Sequence, residues 1–504
     1  MSRTKKFVYN SFSLALLQLV TIAIGFIIPR VMIKTYGSEV NGLIISISGF
    51  IGYFSLAEAG LSGAAVYELY KPLISNDHKT INAIVSAVKK FYTVSGYIFM
   101  ALTVLLVLLY PLCVRSSVVG VFGVSVLVFI IGIAGALELF TMAKYRVLLT
   151  ADQKIYVLSF SSIISLALSA SIIILSAYLK VNIIILKVAA LAPILLRSLI
   201  LYLYVKWKYK YINYNAEADM QALDKRWDVF YLQILGVVQV GAPIVILTVF
   251  TNLKLVSIYS IFTIIISGVS GVLGIFLNGL SSSVGNVIAR KELKILQKTT
   301  EETESIFYGL LTIFFSITMV TLMPFVRLYT RGISDANYDL PTIGILFVIN
   351  GIFSNLKAPQ GMLVISAGMY KETRKQSTIQ ALILVVAGVI LVPSFGLAGV
   401  LVASCLSNLY RVVDLLYFVP HNLTKLPIRK TFIKQFMVLI CLIIIWISSR
   451  FVNICPNNYY EWFKYVFIVM FYSLLIAIAM TMLFDRTNLK YVYFRIRRFA
   501  RLKR

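Results

Sequence analysis

Apolar residues run in long blocks along almost the whole chain, separated by short polar breaks such as KPLISNDHKT (71–80) and PNNYY (456–460). A membrane-crossing helix needs about 20 mainly apolar residues. Fourteen blocks meet that length: 7–33, 42–70, 84–112, 117–143, 155–179, 182–206, 227–251, 255–285, 303–329, 340–366, 376–393, 397–420, 432–452 and 460–484. The pattern predicts an all-α polytopic membrane protein of fourteen transmembrane helices, with the tightest turns near 180 and 394. The first block follows Arg3, Lys5 and Lys6. It is longer than a signal-peptide core and lacks a small-residue cleavage site, so it reads as a retained signal anchor.

Composition agrees. Of 504 residues 60% are hydrophobic and 13% charged, with a mean hydropathy of +0.89, whereas soluble domains carry about 25% charged residues. Disorder, disulfide scaffolds and soluble α/β enzymes are thereby excluded.

The formal net charge of +27 comes from 47 Lys and Arg against 20 Asp and Glu. In a soluble chain such an excess suggests nucleic acid, but in a membrane protein basic residues gather in cytoplasmic loops. Here 34 of the 47 fall at the N-terminus, in every second connection (71–90, 144–154, 206–226, 290–298, 371–375, 425–434) and in the tail from Arg486. The opposite connections hold only scattered ones: Lys34, Arg115, Lys180, Lys254, Arg331, Arg450 and Lys464. The expectation is a multi-pass protein with both termini cytoplasmic and no nucleic-acid partner. The tail FRIRRFARLKR should lie against anionic membrane lipids.

No connection is long enough to form a soluble catalytic domain, and no GxxxxGK[ST] phosphate cradle occurs. The two histidines, His78 and His421, fall in loops without a second metal ligand nearby. Cys113, Cys405, Cys441 and Cys455 form no CxxC pair. No catalytic residue, metal site or cofactor is expected. The chain also repeats itself: Lys5-Lys6-Phe7 against Lys225-Arg226-Trp227, Gly60-Leu61-Ser62 against Gly279-Leu280-Ser281, Phe91-Tyr92 against Phe307-Tyr308, and Leu149-Thr150-Ala151 against Ile365-Ser366-Ala367 recur in order at nearly one offset. Such repeats are common in transporters. They divide the chain into an N-lobe (1–210, spans 1–6), a C-lobe (211–425, spans 7–12) and an appended part (426–504, spans 13–14 and the basic tail).

Tyr36-Gly37, Asn41-Gly42-Leu43, YFSLAEAGLSGAAVYELYKPL (53–73), KKFY (89–92) and YRVLLTADQKIY (145–156) resemble Wzx-type polysaccharide flippases of the multidrug/oligosaccharidyl-lipid/polysaccharide (MOP) exporter superfamily. The resemblance is specific over residues 1–160. It implies two six-helix lobes around a central cavity with two extra C-terminal helices, in a bacterial plasma membrane. It also implies movement of undecaprenyl-pyrophosphate-linked oligosaccharide from the cytoplasmic to the outer leaflet, beside a polysaccharide polymerase and glycosyltransferases.

Charges inside the predicted spans are set beside that expectation. The basic candidates are Arg30, Lys187, Arg197, Lys357 and Arg411; the acidic candidates are Glu58, Glu138 and Asp414. A charge at mid-membrane costs at least about 2.5–3.5 kcal/mol, so each should face a watery cavity or a partner. Five basic against three acidic groups suits an anionic passenger such as a pyrophosphate head. Arg411 and Asp414 stand three apart on one helix face and can pair, and Arg30 can snorkel outward. Glu58, Glu138 and Asp414 are the candidates for coupling to H⁺ or Na⁺. Gln18, Gln239 and Ser281–Ser283 are plausible polar lining for the glycan. A multidrug exporter of the same superfamily, or a membrane enzyme acting on polyprenyl-linked sugars, are the other readings. The first should carry mainly acidic groups at mid-membrane and the second a polar cluster on long loops.

Overall fold

The structure, a computed structural model, describes residues 3–58, 61–114, 116–219, 227–449 and 456–484. Arg115, Arg450, Cys455, Lys225, Arg226 and the basic tail from Arg486 lie outside the described residues. The described residues are helical and contain no strand. The chain packs as two compact units, Met1–Ser260 and Ile261–Arg504.

The first unit holds α1 (Arg3–Gly52), a short 3-10 turn (Tyr53–Glu58), α2 (Leu61–Ser75), α3 (His78–Cys113), α4 (Gly120–Thr141), α5 (Ala143–Ala151), α6 (Ile155–Tyr178), α7 (Ile183–Ala189), α8 (Ala192–Lys208) and α9 (Trp227–Phe250). Local chemistry sets several ends. Asp77 caps α3 by accepting from the Thr80 backbone N–H at 3.1 Å, and Asn182 caps α7 through the Ile184 N–H at 2.9 Å; such side chains satisfy donors that a helix start leaves orphaned. The core of this unit centres on Leu43, Ile47, Leu69, Val88, Leu127, Leu148 and Leu149, all fully buried. α9, which the internal repeat assigns to the second lobe, packs against α1.

The second unit contains most of α10 (Leu253–Ala289), then α11 (Leu293–Tyr329), α12 (Pro341–Leu356), α13 (Ala358–Ser366), α14 (Arg374–Val419), α15 (Ile428–Ser449) and α16 (Tyr459–Phe484). α11 packs against both α15 and α16, and α12 against α14. The appended pair is therefore docked on α11.

Twelve helices among the described residues are long and apolar enough to cross a membrane. Two of them, Val8–Glu58 and Arg374–Thr424, run 51 residues each. That is about 76 Å of helix, more than twice the ~30 Å hydrocarbon core. Each is broken at a glycine: Gly37 has φ 86° and ψ 165°, and Gly396 has φ 52° and ψ −126°. These dihedrals are open to glycine and strained for other residues. The fourteen apolar blocks map onto twelve helices because blocks one and two share the first of these elements and blocks eleven and twelve share the second.

Candidate functional site

Glu58 ends the 3-10 turn after α1, where the chain leaves its long helix. Glu138 lies in the last turn of α4, which stops at Thr141 before α5 restarts at Ala143. Arg146 projects from that short helix, and Arg197 from α8, which starts with proline in its first turn. These four charged side chains line one cavity of about 210 Å³ inside the first unit, closed on its apolar side by Phe99, Leu139 and other residues. Arg146 donates to Glu58 at 2.7 Å. Arg197 stands 3.6 Å from Glu138. The wall thus carries two cations and two anions and is close to neutral. In both arginines the Nε is buried and has no hydrogen-bond partner. Guanidinium presents five donors in a planar fork, so each arginine keeps donor capacity beyond its carboxylate.

Next to this cavity the α5–α6 turn is clamped. Lys6 of α1 donates to the Asp152 carboxylate and carbonyl, both at 2.9 Å. Lys154 lies 2.6 Å from the other carboxylate oxygen, and the Tyr209 hydroxyl donates to that oxygen at 2.6 Å. Burial alone would raise the Asp152 carboxyl. Hydrogen bonds from Lys154, Tyr209 and Lys6 outweigh it and hold the group below the ordinary carboxylate range. Asn10 completes the clamp by donating to the Gln153 carbonyl at 2.9 Å and accepting from the Tyr156 N–H at 2.9 Å.

In the second unit, α12 ends at Leu356 and α13 begins at Ala358-Pro359, leaving Lys357 at the break. Its ammonium donates to Asn408 on α14 at 2.6 Å, and Asn408 donates to Asn350 at 2.8 Å. One turn on, Arg411 pairs with Asp414 at 2.6 Å, with both side chains nearly buried. A second buried network supports the break. Tyr308 and Gln435 both donate to the Leu356 carbonyl, at 3.0 and 3.4 Å. Tyr308 also bonds Gln360, which donates to Glu304 at 3.0 Å. Glu304 accepts from Thr431 at 3.0 Å and lies 3.5 Å from Lys434. The Glu304 and Lys434 side chains are 3% and 9% exposed, so the pair is sealed between α11 and α15.

Of the residues singled out from sequence, Arg197, Glu58 and Glu138 meet in the first cavity, and Lys357 is bonded to Asn408, three residues before Arg411 on α14. Arg30 is half-buried on α1, next to Pro29. Lys187 is half-buried in the last turn of α7. Ser281 meets Ser366 at 3.1 Å, Gln18 is half-buried on α1 and Ser283 is exposed on α10. Sequence reasoning paired only Arg411 with Asp414. The pairing of Glu58 and Glu138 each with an arginine has no counterpart in the sequence pattern, in which Arg146 and Lys434 fall among the loop cations. Arg146 is visible in one respect: it and Glu58 fall in two of the segments that carry the family resemblance, 145–156 and 53–73. Glu304 had no signal, because it sits in the polar stretch TTEETES that overlaps the very start of the 303–329 block.

No family profile and no curated protein matches the chain in sequence. Solved structures do match in fold. The chain is similar to the lipid II flippase MurJ in an inward closed conformation, at 17% identity and a TM-score of 0.67, covering 95% of this chain and 99% of that one. It is similar to a multidrug resistance MATE family transporter of the MOP superfamily in an inward-facing conformation, at 12% identity and a TM-score of 0.66, covering 83% and 99%. A MOP superfamily transporter from Pyrococcus furiosus matches at 14% identity and a TM-score of 0.56, covering 81% and 93%. The chain shares the fold of MOP superfamily transporters.

Proposed function

We propose that this protein is a Wzx-type flippase. It moves undecaprenyl-pyrophosphate-linked oligosaccharide from the cytoplasmic to the outer leaflet of a bacterial plasma membrane for a surface polysaccharide, by alternating access, without enzymatic chemistry. Fourteen spans follow if the two glycine-broken elements each cross twice, with both termini cytoplasmic. The lobes cover 1–210 and 211–425, with two appended helices. Arg30, Lys187, Arg197, Lys357 and Arg411 attract the pyrophosphate, and Glu58, Glu138 and Asp414 couple transport to H⁺ or Na⁺.

The observation that carries the reading is the pair of arginines, Arg146 and Arg197, on one cavity wall, each with an Nε lacking an acceptor. An anionic head entering there meets two guanidinium groups that stay partly exposed beside their carboxylates. A cationic drug finds carboxylates whose charge is already compensated by arginine. Resemblance in fold to a lipid II flippase over 95% of the chain supports a lipid-linked passenger.

The second reading is a multidrug exporter, favoured by Glu58 and Glu138 on the same wall and by likeness to a multidrug resistance transporter. Depletion of the protein followed by a leaflet-resolved assay separates them. The flippase reading expects lipid-linked repeat units to accumulate in the cytoplasmic leaflet. Unchanged lipid distribution with altered drug sensitivity favours the exporter.

A further inference from the structure

One face of α3 carries His78, Asn82, Ser86 and Lys89, spaced four, four and three residues apart, as a helical stripe requires. Along it runs the segment 209–219 that follows α8. His78 stacks on Tyr211 at 4.0 Å between ring centroids. Asn82 donates to the Tyr211 carbonyl at 3.1 Å and accepts from the Asn213 N–H at 2.9 Å. Ser86 donates to the Asn213 carbonyl at 3.2 Å, and Lys89 to the Asn215 side chain at 2.8 Å. The segment is a strap fixed residue by residue, which seats Tyr214 against α5.

There the Lys144 ammonium lies 5.0 Å from the Tyr145 ring centroid and 5.4 Å from that of Tyr214, whose planes meet edge to face. Lys144 makes no hydrogen bond or ion pair, and Lys89 makes no ion pair, among the described residues. The strap's own Glu217 pairs with neither. Lys89 bonds the residue next to Tyr214, whose ring lies under Lys144, and burial and then the Lys89 charge lower the Lys144 ammonium below the ordinary lysine range, so two cations share this corner with no carboxylate paired to either among the described residues. The Tyr214 hydroxyl is buried and has no hydrogen-bond partner. A pair of cations and an unused phenol donor fit a phosphate-bearing head group: ammonium is a point charge for phosphate oxygens.

We propose that Lys89, Lys144 and Tyr214 form a phosphate-binding site, assembled by the 209–219 strap and separate from the Arg146–Arg197 cavity. Its ligand is a phosphate or pyrophosphate head group, either that of the lipid-linked passenger or that of an anionic phospholipid. The passenger assignment rests on the flippase reading; the site itself does not.

The test is acylation of Lys144 by an amine-reactive ester, followed by mass spectrometry, on the full chain in phosphatidylcholine nanodiscs. Two probes are added in parallel: geranyl pyrophosphate, and phosphatidylglycerol incorporated in the disc. Either should protect Lys144, and which one does identifies the source. Lys89→Met should raise the concentration needed about tenfold, equivalent to ~1.4 kcal/mol. Direct binding of radiolabelled geranyl pyrophosphate should weaken similarly in Lys144→Met and be retained in Lys144→Arg, with Lys71→Met unchanged. Absence of protection by both probes, or equal protection in Lys89→Met, overturns the site. Protection in a protein that moves no lipid-linked oligosaccharide keeps the site and defeats the flippase reading.

Discussion

Arg146 holds a guanidinium nitrogen 2.7 Å from a carboxylate oxygen of Glu58, 88 residues earlier in the chain. Together with Arg197 and Glu138 this pair makes the cavity wall nearly neutral, so its preference depends on which charges keep unused bonding capacity. The arginines keep it. Arginine substitutions should therefore impair transport more than glutamate substitutions: Arg146→Gln and Arg197→Gln should lower export at least about tenfold, one lost charged contact of ~1.4 kcal/mol. Glu58→Gln and Glu138→Gln each remove only one of the three proposed coupling carboxylates and should retain more activity at neutral pH. The measurement is surface polysaccharide normalised to protein level, and the opposite ranking would favour a cationic passenger.

The Glu58 pair is also structural. Removing one partner leaves a charge in a poorly solvated wall, and part-exposure of Arg146 moderates the cost to about 1–2 kcal/mol. In a double-mutant cycle on thermal unfolding in detergent, Glu58→Met with Arg146→Met should be less destabilising than the sum of the singles. Simple additivity would mean that the contact contributes nothing.

Asp152 gives a pH prediction. Its carboxyl is held below the ordinary range, so the folded state binds its proton more weakly than the unfolded chain. Its stabilisation is then fully present above the unfolded value of about 3.9 and is lost as pH falls through the lower folded value. Asp152→Asn should cost about 1–3 kcal/mol at pH 7. The gap between variant and wild type should close only below about pH 4. A gap that instead grew on acidification would contradict the clamp formed by Lys6, Lys154 and Tyr209.

Much of the architecture is legible in the sequence, since apolar run length alone predicts helices that cross a membrane. The exceptions have a local cause. Gly37 and Gly396 fall at the block boundaries themselves, 34–41 and 394–396, but the helix resumes at once after each, so two blocks share one continuous element. The site was legible only as a roster of embedded charges: Arg197, Glu58 and Glu138 stand out because charge is costly in hydrocarbon. Their partners do not, because pairing is set by which helices pack. Arg146 and Lys434 sit in stretches that read as solvated loops, and only tertiary packing brings Lys434 to Glu304.

That buried network makes α15 more than an appendage. Glu304→Gln or Lys434→Met alone should destabilise by about 3–5 kcal/mol, the cost of stranding a buried charge. The double replacement should recover part of the loss. Gln435→Leu should leave the fold intact but loosen the Leu356 carbonyl at the break that places Lys357, reducing export more than thermal stability. Equal export in Gln435→Leu and wild type would remove α15 from the mechanism.

Topology is tested by single cysteines. Those near 76, 215, 295 and 373 should label only from the cytoplasmic side, and those near 116, 336 and 457 from outside. Outside labelling at 215 would overturn both the orientation and the fourteen-span count.

The central claim is that fixed cations carry an anionic head across the membrane. Its most direct test is flipping of a fluorescent undecaprenyl-pyrophosphate-linked oligosaccharide in proteoliposomes containing wild type, Arg197→Gln or Lys357→Met at matched protein levels. The account predicts a fall in initial rate for each variant of at least about tenfold, ~1.4 kcal/mol of lost stabilisation, with partial recovery in Arg197→Lys. Wild-type rates from both neutral variants, at normal expression and stability, would contradict it.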